Sequence, residues 1–228
     1  MNLQLTKEKS VELSGWTGST KKQFINLFKD KGDNVSEKDV MSILVYPFIT
    51  PSDVYYSEDE IQYILIHLRD LSLTDEIKVE TECSNEKCKK DLFQSVNVKE
   101  LCEYTEGKFP IVDGPITWRE LNKRDDVNMT HKQHKEEPYI YVEKYLHIEK
   151  YNDEIMTGFQ RIMDVLDDIP LKDYNEVSDN YDRNRSKIEL GYTFECVCGT
   201  ETKIEMDSIP DFFNPLLPKE INFGSKKI

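Results

Sequence analysis

Four of the five cysteines fall into two tight pairs, Cys83-Ser-Asn-Glu-Lys-Cys88 and Cys196-Val-Cys198-Gly199. Each pair stands between stretches with the period-2 alternation of a strand. Ile77, Val79 and Thr81 lead into Cys83, Leu92, Gln94 and Val96 lead away from Cys88, Tyr192 and Phe194 approach Cys196, and Thr202, Ile204 and Met206 follow the second pair. Two hairpin tips that each present two thiols are the components of a structural zinc knuckle, and such a site would tie positions 83 and 198 into one core. Zinc takes four donors in a near-tetrahedral set, and thiolates supply soft charged ligands whose metal-bound form stabilises the fold. The first pair encloses four residues and the second only one. Gly199 helps the tighter pair, because a residue without Cβ can follow a ligand in a sharp turn and bring backbone N–H groups toward sulfur. The competing assignment is reduced cysteines at ordinary turns or in the core, where a thiol acts as a small hydrophobe. Cys102, next to Leu101, reads as a packed thiol of that kind.

With 228 residues the chain has room for one domain or two small ones, each with a substantial core. Its formal net charge of -14 opposes non-specific attraction to nucleic acid or anionic membrane. No apolar run reaches the length of a membrane span, and the polar start does not read as a signal peptide. An intracellular origin follows as an expectation. Two close cysteine pairs with an odd remainder suit metal ligation in a reducing compartment better than a disulfide scaffold.

Along the chain, residues 19–28 read as a short helix with Phe24, Ile25, Leu27 and Phe28 on its apolar side. Ser36-Glu37-Lys38-Asp39 marks a second helix start, followed by Val40, Ile43 and Leu44 before Pro47 and Pro51 interrupt. Ser57-Glu58-Asp59-Glu60 is a capping box ahead of Ile61, Ile64, Leu65 and Leu68 at helical spacing. Around Ile140, Val142 and Leu146, strand and helix are both open. The stretch from Asn152 to Ile169 reads as helix, with Ile155, Phe159, Ile162, Met163, Leu166 and Ile169 on one side and Pro170 as its end. Residues 172–187 read as a polar loop, and 120–137 form the most polar interruption.

Catalytic signatures are weak. Four sulfur ligands leave zinc no open position for water, so the feature that favours a metal also argues against metal catalysis. His131-Lys132-Gln133-His134 lies in the polar interruption without an adjacent carboxylate motif. His67, between Ile66 and Leu68, reads as a partly buried structural histidine. Asp167-Asp168 and Glu136-Glu137 read as solvated faces. There is neither a phosphate-binding glycine loop nor a nucleophile elbow. Lys87, Lys89 and Lys90 beside the first knuckle are offset by Glu82, Glu86, Glu195, Glu201 and Glu205, which favours a structural or protein-facing knuckle over a phosphate clamp.

In the order of its features the chain resembles the baseplate hub subunit family of contractile-tailed, T-even-like bacteriophages. The resemblance is carried by Pro47-Phe48-Ile49-Thr50-Pro51, the helix ending Ile66-His67-Leu68-Arg69-Asp70-Leu71-Ser72, and the strand Ile77-Lys78-Val79 into Cys83 and Cys88. Asp91-Leu92, then Phe194-Glu195-Cys196-Val197-Cys198-Gly199 and Phe212-Phe213, complete it, over roughly residues 13–213. It implies a non-enzymatic virion or assembly component that packs against hub, wedge or tail-tube-proximal proteins, located in the tail baseplate and made in the host cytoplasm. It also implies that the cysteine pairs form a metal knuckle.

The segments Met1–Trp16 and Phe212–Ile228 suit such an assembly role. Phe212-Phe213-Asn214-Pro215-Leu216-Leu217-Pro218 is apolar but broken by two prolines, so it reads as an extended arm whose partner-binding anchors are Phe212, Phe213, Leu216 and Leu217. The expected fold is α+β, with N-terminal helices packed on a small antiparallel sheet, a zinc-knuckle-like cysteine cluster and a helical insertion. The segments are an N-terminal helical portion (1–75), a first β/knuckle segment (76–102), an inserted α/β and loop segment (103–187), a second β/knuckle segment (188–211) and the C-terminal arm (212–228). Cys83, Cys88, Cys196 and Cys198 are the metal ligands of this reading, zinc is the cofactor, and no catalytic residue is assigned. Other baseplate proteins are the expected partners, without nucleic acid as principal partner and without membrane insertion. The alternative is an intracellular zinc-ribbon accessory factor of transcription or replication, which calls for a basic or aromatic surface at the knuckles.

Overall fold

The structure is a computed structural model that describes residues 1–73, 76–123, 125, 139–156 and 158–205. The arm anchors Phe212, Phe213, Leu216 and Leu217, together with His131, His134, Glu136 and Glu137, lie outside the described residues. The chain is α+β, with six α-helices and several small antiparallel sheets among those residues.

The first sixteen residues are built into the molecule's own core. β1 (Asn2–Gln4), β2 (Ser10–Leu13) and β3 (Ile49–Thr50) make an antiparallel sheet in the order β1-β2-β3, with Leu3 opposite Val11 and Leu13 opposite Ile49. Leu3, Leu5, Val11 and Leu13 are buried while Asn2, Gln4 and Glu12 face out, the alternation a one-sided sheet requires. Trp16 Nε1 donates to the Leu44 carbonyl at 2.7 Å, and its backbone N–H donates to Ser72 Oγ at 2.7 Å. Met1–Trp16 is therefore no free assembly arm.

Three helices cover this sheet, each started by a reciprocal cap: α1 (Gly18–Lys31) by Thr17 with Thr20, α2 (Glu37–Leu44) by Ser36 with Asp39, and α3 (Glu58–Ser72) by Ser57 with Glu60. In α3 the Ser57 hydroxyl accepts from Glu60 N–H at 3.3 Å, and the Glu60 carboxylate accepts from Ser57 N–H at 2.9 Å. Ile61, Ile64, Leu65 and Leu68 turn into a first core with Phe24, Leu44 and Val45, while Ile66 on another side of α3 enters a second core. One helix thus carries both.

The second core lies between a two-stranded ribbon, β4 (Ile77–Glu82) with β5 (Asp91–Val96), and a sheet in the order β12-β11-β6 formed by β6 (Cys102–Thr105), β11 (Lys187–Glu195) and β12 (Glu201–Glu205). The ribbon pairs from Ile77 opposite Val96 to Glu82 opposite Asp91, and β11 pairs with β12 from Gly191–Glu205 to Glu195–Glu201. Val79, Leu92, Val96, Leu101 and Phe194 fill the space between, with Cys83 and Cys196 at its edge.

Between β6 and β11 runs a third unit. β7 (Ile111–Asp113), β8 (Ile116–Trp118), β9 (Ile148–Tyr151) and β10 (Glu154–Ile155) form a sheet in the order β10-β9-β8-β7, accompanied by α4 (Tyr139–Leu146), α5 (Phe159–Asp168) and α6 (Leu171–Asn184). Trp118, Ile116, Ile148, Ile162, Leu166, Val177 and Tyr181 make its core.

Two expectations are corrected here. The stretch from Asn152 onward begins as a hairpin rather than a helix, because Asn152 and Asp153 take left-handed φ values of 49° and 64°, the conformation of a tight turn between paired strands. Ile155 is consequently 63 % exposed on β10, and the helix starts only after Gly158. The polar loop at 172–187 is helix α6 running into β11. Its inner face is Val177, Asn180, Tyr181 and Asn184, a helical spacing in which two of the four buried positions are asparagines. Asn184 Nδ2 donates to the Asn180 carbonyl at 2.8 Å, so a buried amide there is satisfied within the helix. Pro170 separates α5 from α6, serving as the boundary residue of the second helix as well as a stop for the first. The ambiguous stretch around residue 140 is helical.

Candidate metal centre

The two knuckles sit at the tips of the ribbon and of the β11–β12 hairpin. β4 delivers Cys83 and β5 departs just after Cys88; β11 delivers Cys196 and β12 departs just after Cys198. Each tip is closed by its own backbone hydrogen bonds, Cys83 N–H to the Lys90 carbonyl at 2.9 Å and Cys88 N–H to the Asn85 carbonyl at 2.8 Å in the first. In the second, Cys196 N–H donates to the Thr200 carbonyl at 3.0 Å and Gly199 N–H to the Cys196 carbonyl at 2.8 Å. The shorter second tip needs Gly199 at φ 80°, a left-handed position that disfavours any side chain.

Polar side chains stitch the tips together. Ser84 N–H donates to Thr202 Oγ1 at 3.0 Å, the Ser84 and Thr202 hydroxyls lie 3.2 Å apart, and Asn85 Nδ2 donates to Thr200 Oγ1 at 3.3 Å. Ser84, Asn85 and Thr200 carry no motif that marks them in the sequence. Their only mark was position, beside a ligand and in a turn.

As a result all four sulfurs converge. Cys83 Sγ is 3.7 Å from Cys198 Sγ, Cys88 Sγ is 3.7 Å from Cys196 Sγ, and the four donor atoms lie within 4.8 Å of one another. A tetrahedral ion with metal–sulfur bonds of about 2.3 Å needs sulfur–sulfur edges of about 3.8 Å. The two cross-hairpin edges already have that length, and none of the cysteines is in a disulfide. Cys83 and Cys196 are buried, Cys88 is half-buried and Cys198 is exposed, so the site lies at the rim of the second core with one side toward solvent. Cys102 packs in that core apart from the tetrad, its thiol 3.5 Å from the Lys99 carbonyl.

The electrostatics fit a cation. The Thr200 hydroxyl and backbone N–H beside Cys198 bring its thiol down to about 6, whereas the neighbouring Cys198 pushes Cys88 up to about 12. One sulfur ionises readily and the next resists, the behaviour of acidic groups crowded together without a counter-charge. A bound dication would remove the conflict by stabilising all four thiolates together. The donor set therefore suits a soft or borderline metal in a closed four-sulfur shell, with no coordination position left for substrate or water.

His67 is half-buried against Tyr63, with ring centroids 4.6 Å apart, and burial lowers its pKa, which favours the neutral ring. Asp167 and Asp168 are exposed, as a solvated face should be. Around the tetrad, exposed Lys87, Lys89 and Lys90 alternate with exposed Glu82, Glu86, Glu195 and Glu201, which gives no continuous basic surface among the described residues. No described helix is long and apolar enough to cross a membrane.

The family profile described as T4 bacteriophage base plate protein matches residues 1–214, a span that contains all four ligand candidates and ends inside the proline-broken arm. Nothing matches among curated proteins or among solved structures. The chain belongs to the T4 bacteriophage base plate protein family. It is a structural protein of the phage tail baseplate, where it associates with other baseplate proteins.

Proposed function

We propose that this baseplate protein works at or near the hub of a contractile tail. There it joins neighbouring hub, wedge or tail-tube-proximal proteins during assembly, without catalysing a reaction. One zinc ion in the Cys83/Cys88/Cys196/Cys198 tetrad acts as a structural cross-link. The observation that supports this reading best is the convergence of four thiols into a closed shell at the rim of a core, within a chain of the baseplate family. A four-sulfur shell holds two hairpins together and offers nothing to a substrate. Synthesis in the host cytoplasm keeps the thiols reduced for metal loading.

The arm from Phe212 to Pro218 is the joining element of this proposal. Each of Phe212, Phe213, Leu216 and Leu217 gains on the order of 1–3 kcal/mol when buried against a neighbour, before ordering costs. The test is a chain truncated after Asp211, compared with the full chain in baseplate assembly and by cross-linking of assembled particles. The truncated protein should fold with its metal bound yet fail to incorporate, and the full chain should cross-link through the arm to hub-proximal subunits. Incorporation with undiminished affinity would reject the arm as anchor. Cross-links confined to peripheral subunits would reject the hub location.

A further inference from the structure

The first and third cores do not merge. Between them lie a small apolar contact of Tyr55, Leu121 and Leu146, and a polar junction around a cavity of about 30 Å³, space for about two waters. Apart from the Gly107–Phe109 segment, each stretch packed there contributes a titratable or charged group. Lys9 comes from the β1–β2 turn, Tyr55 precedes α3, Asp59 and Glu60 lie in the first turn of α3, and Glu120 follows β8. Glu143 comes from α4, His147 follows it, and Tyr181 and Arg185 come from the end of α6 and just beyond.

Both cations are already engaged. Lys9 Nζ lies 3.0 Å from both Glu60 oxygens and 3.3 Å from Glu120, and Arg185 donates to Asp59 at 2.6 Å. Glu143 is only 7 % exposed, and among the described residues its carboxylate accepts one hydrogen bond, from the Tyr55 hydroxyl at 3.1 Å. Among those residues the cysteine tetrad is the one set of three or more His, Cys, Asp or Glu side chains whose donor atoms converge, and the carboxylates of the junction are met by Lys9 and Arg185 instead. An ionised Glu143 would add a fourth carboxylate against two cations that already have partners.

We propose that Glu143 is a proton-operated latch between the inserted unit and the N-terminal unit: neutral, it allows α4 to dock beside Tyr55 and α3; ionised, it loosens that docking. Burial, reinforced by Asp59 and Glu60, raises the carboxyl from its ordinary 4.5 to about 7, against the opposing effects of Tyr55 and Arg185. His147 stays neutral through this range, since burial lowers it to about 3. The sign follows from proton linkage. The docked state holds the proton more tightly than the opened one, so docking weakens as pH climbs from about 4.5 to about 7 and levels off above that. Between pH 6 and pH 8 the opening equilibrium should increase roughly tenfold.

Hydrogen exchange of the full chain, corrected for the intrinsic pH dependence of exchange, reads this directly in segments covering α4 and Tyr55. The wild-type protein should show the rise, and Glu143→Gln should hold those segments equally protected at both pH values. Equal wild-type protection at pH 6 and pH 8 overturns the latch, as does a rise that survives in Glu143→Gln. If that variant fails to fold, Tyr55→Phe decides. It removes a donor that favours the ionised form and so raises the docked carboxyl further, so the pH at which the loss of protection levels off should move upward, and an unmoved levelling-off point overturns the proposal.

Discussion

Replacing Cys196 by serine tests the metal cross-link most directly. Cys196 is 3 % exposed, and its sulfur faces that of Cys88 across 108 residues of sequence. Closing a loop of about that length lowers the entropy of the unfolded chain by an amount worth about 4.7 kcal/mol in the cross-link model. The three remaining thiolates retain some affinity, so a loss of about 3–5 kcal/mol is expected at saturating metal. At about 2–4 °C per kcal/mol for a chain of this size, the melting temperature should fall by roughly 6–20 °C. The assay pairs scanning calorimetry with metal stoichiometry on the wild type, Cys196→Ser and Cys102→Ser, each with and without a tight chelator. The chelator arm separates the metal from the local cost of a buried hydroxyl, about 1–3 kcal/mol, which persists when metal is absent from both proteins. The wild type should bind one metal per chain and lose stability with chelator, Cys196→Ser should lose much of that sensitivity, and Cys102→Ser should behave like the wild type. The reasoning fails if Cys196→Ser keeps a full equivalent of metal and melts within about 2 °C of the wild type, or if the chelator leaves the wild type unchanged.

Two further substitutions probe how the units are held together. A Cβ at Gly107 would lie 2.6 Å from Ser186 Oγ and 2.9 Å from Ser186 N, where the Gly107 N–H now donates to that hydroxyl at 3.2 Å. Gly107→Ala should therefore cost about 1–3 kcal/mol in urea unfolding, and an unchanged midpoint would mean that the two segments do not approach this closely. Lys9→Met strands Glu60, which is 2 % exposed, without its cation, and should destabilise by about 3–5 kcal/mol. Adding Glu60→Gln should recover part of that loss, whereas strictly additive losses in the double-mutant cycle would show that the pair is not coupled.

What the sequence disclosed depended on whether the physical signal was local. The α3 capping box and its Ile61, Ile64, Leu65 and Leu68 stripe are complete within twelve positions, and the helix stands where they place it. The β4 and β5 alternation is equally local, and both strands form. α6 was hidden because Asn180 and Asn184 occupy buried positions that a hydrophobic pattern assigns to apolar residues. Half of its inner face is amide, and Asn184 is satisfied there by bonding back to its own helix. β1 and β2 were hidden for another reason: each is only three or four residues long, so their alternation is too short to stand out until Leu3 meets Val11 and Leu13 meets Ile49.

The tetrad was legible because its chemistry is rare and its spacing is local, two ligands per hairpin. The junction around Glu143 was not, because Lys9, Glu60, Glu120, Glu143 and Arg185 come from five separate elements and are individually ordinary surface residue types. That contrast bears on how the molecule is held together. Of the nine buried residues in the second core, two are the ligand candidates Cys83 and Cys196, so this core is part apolar contact and part thiol cluster. Metal bound there would do more than clip two finished hairpins: it would supply bonding that a core so small lacks. The inserted unit leaves the second core at β6 and returns to it at β11, and those strands pair directly, with Cys102 opposite Leu190 and Thr105 opposite Lys187. A metal-loaded tetrad would thus fix the sheet from which the whole insertion is suspended, while the polar junction lies where that insertion meets the N-terminal unit. If both proposals hold, chelator and pH act on different parts of this fold: metal removal loosens the β11–β12 hairpin and the ribbon, whereas a rise in pH loosens the contact of the insertion with the N-terminal unit.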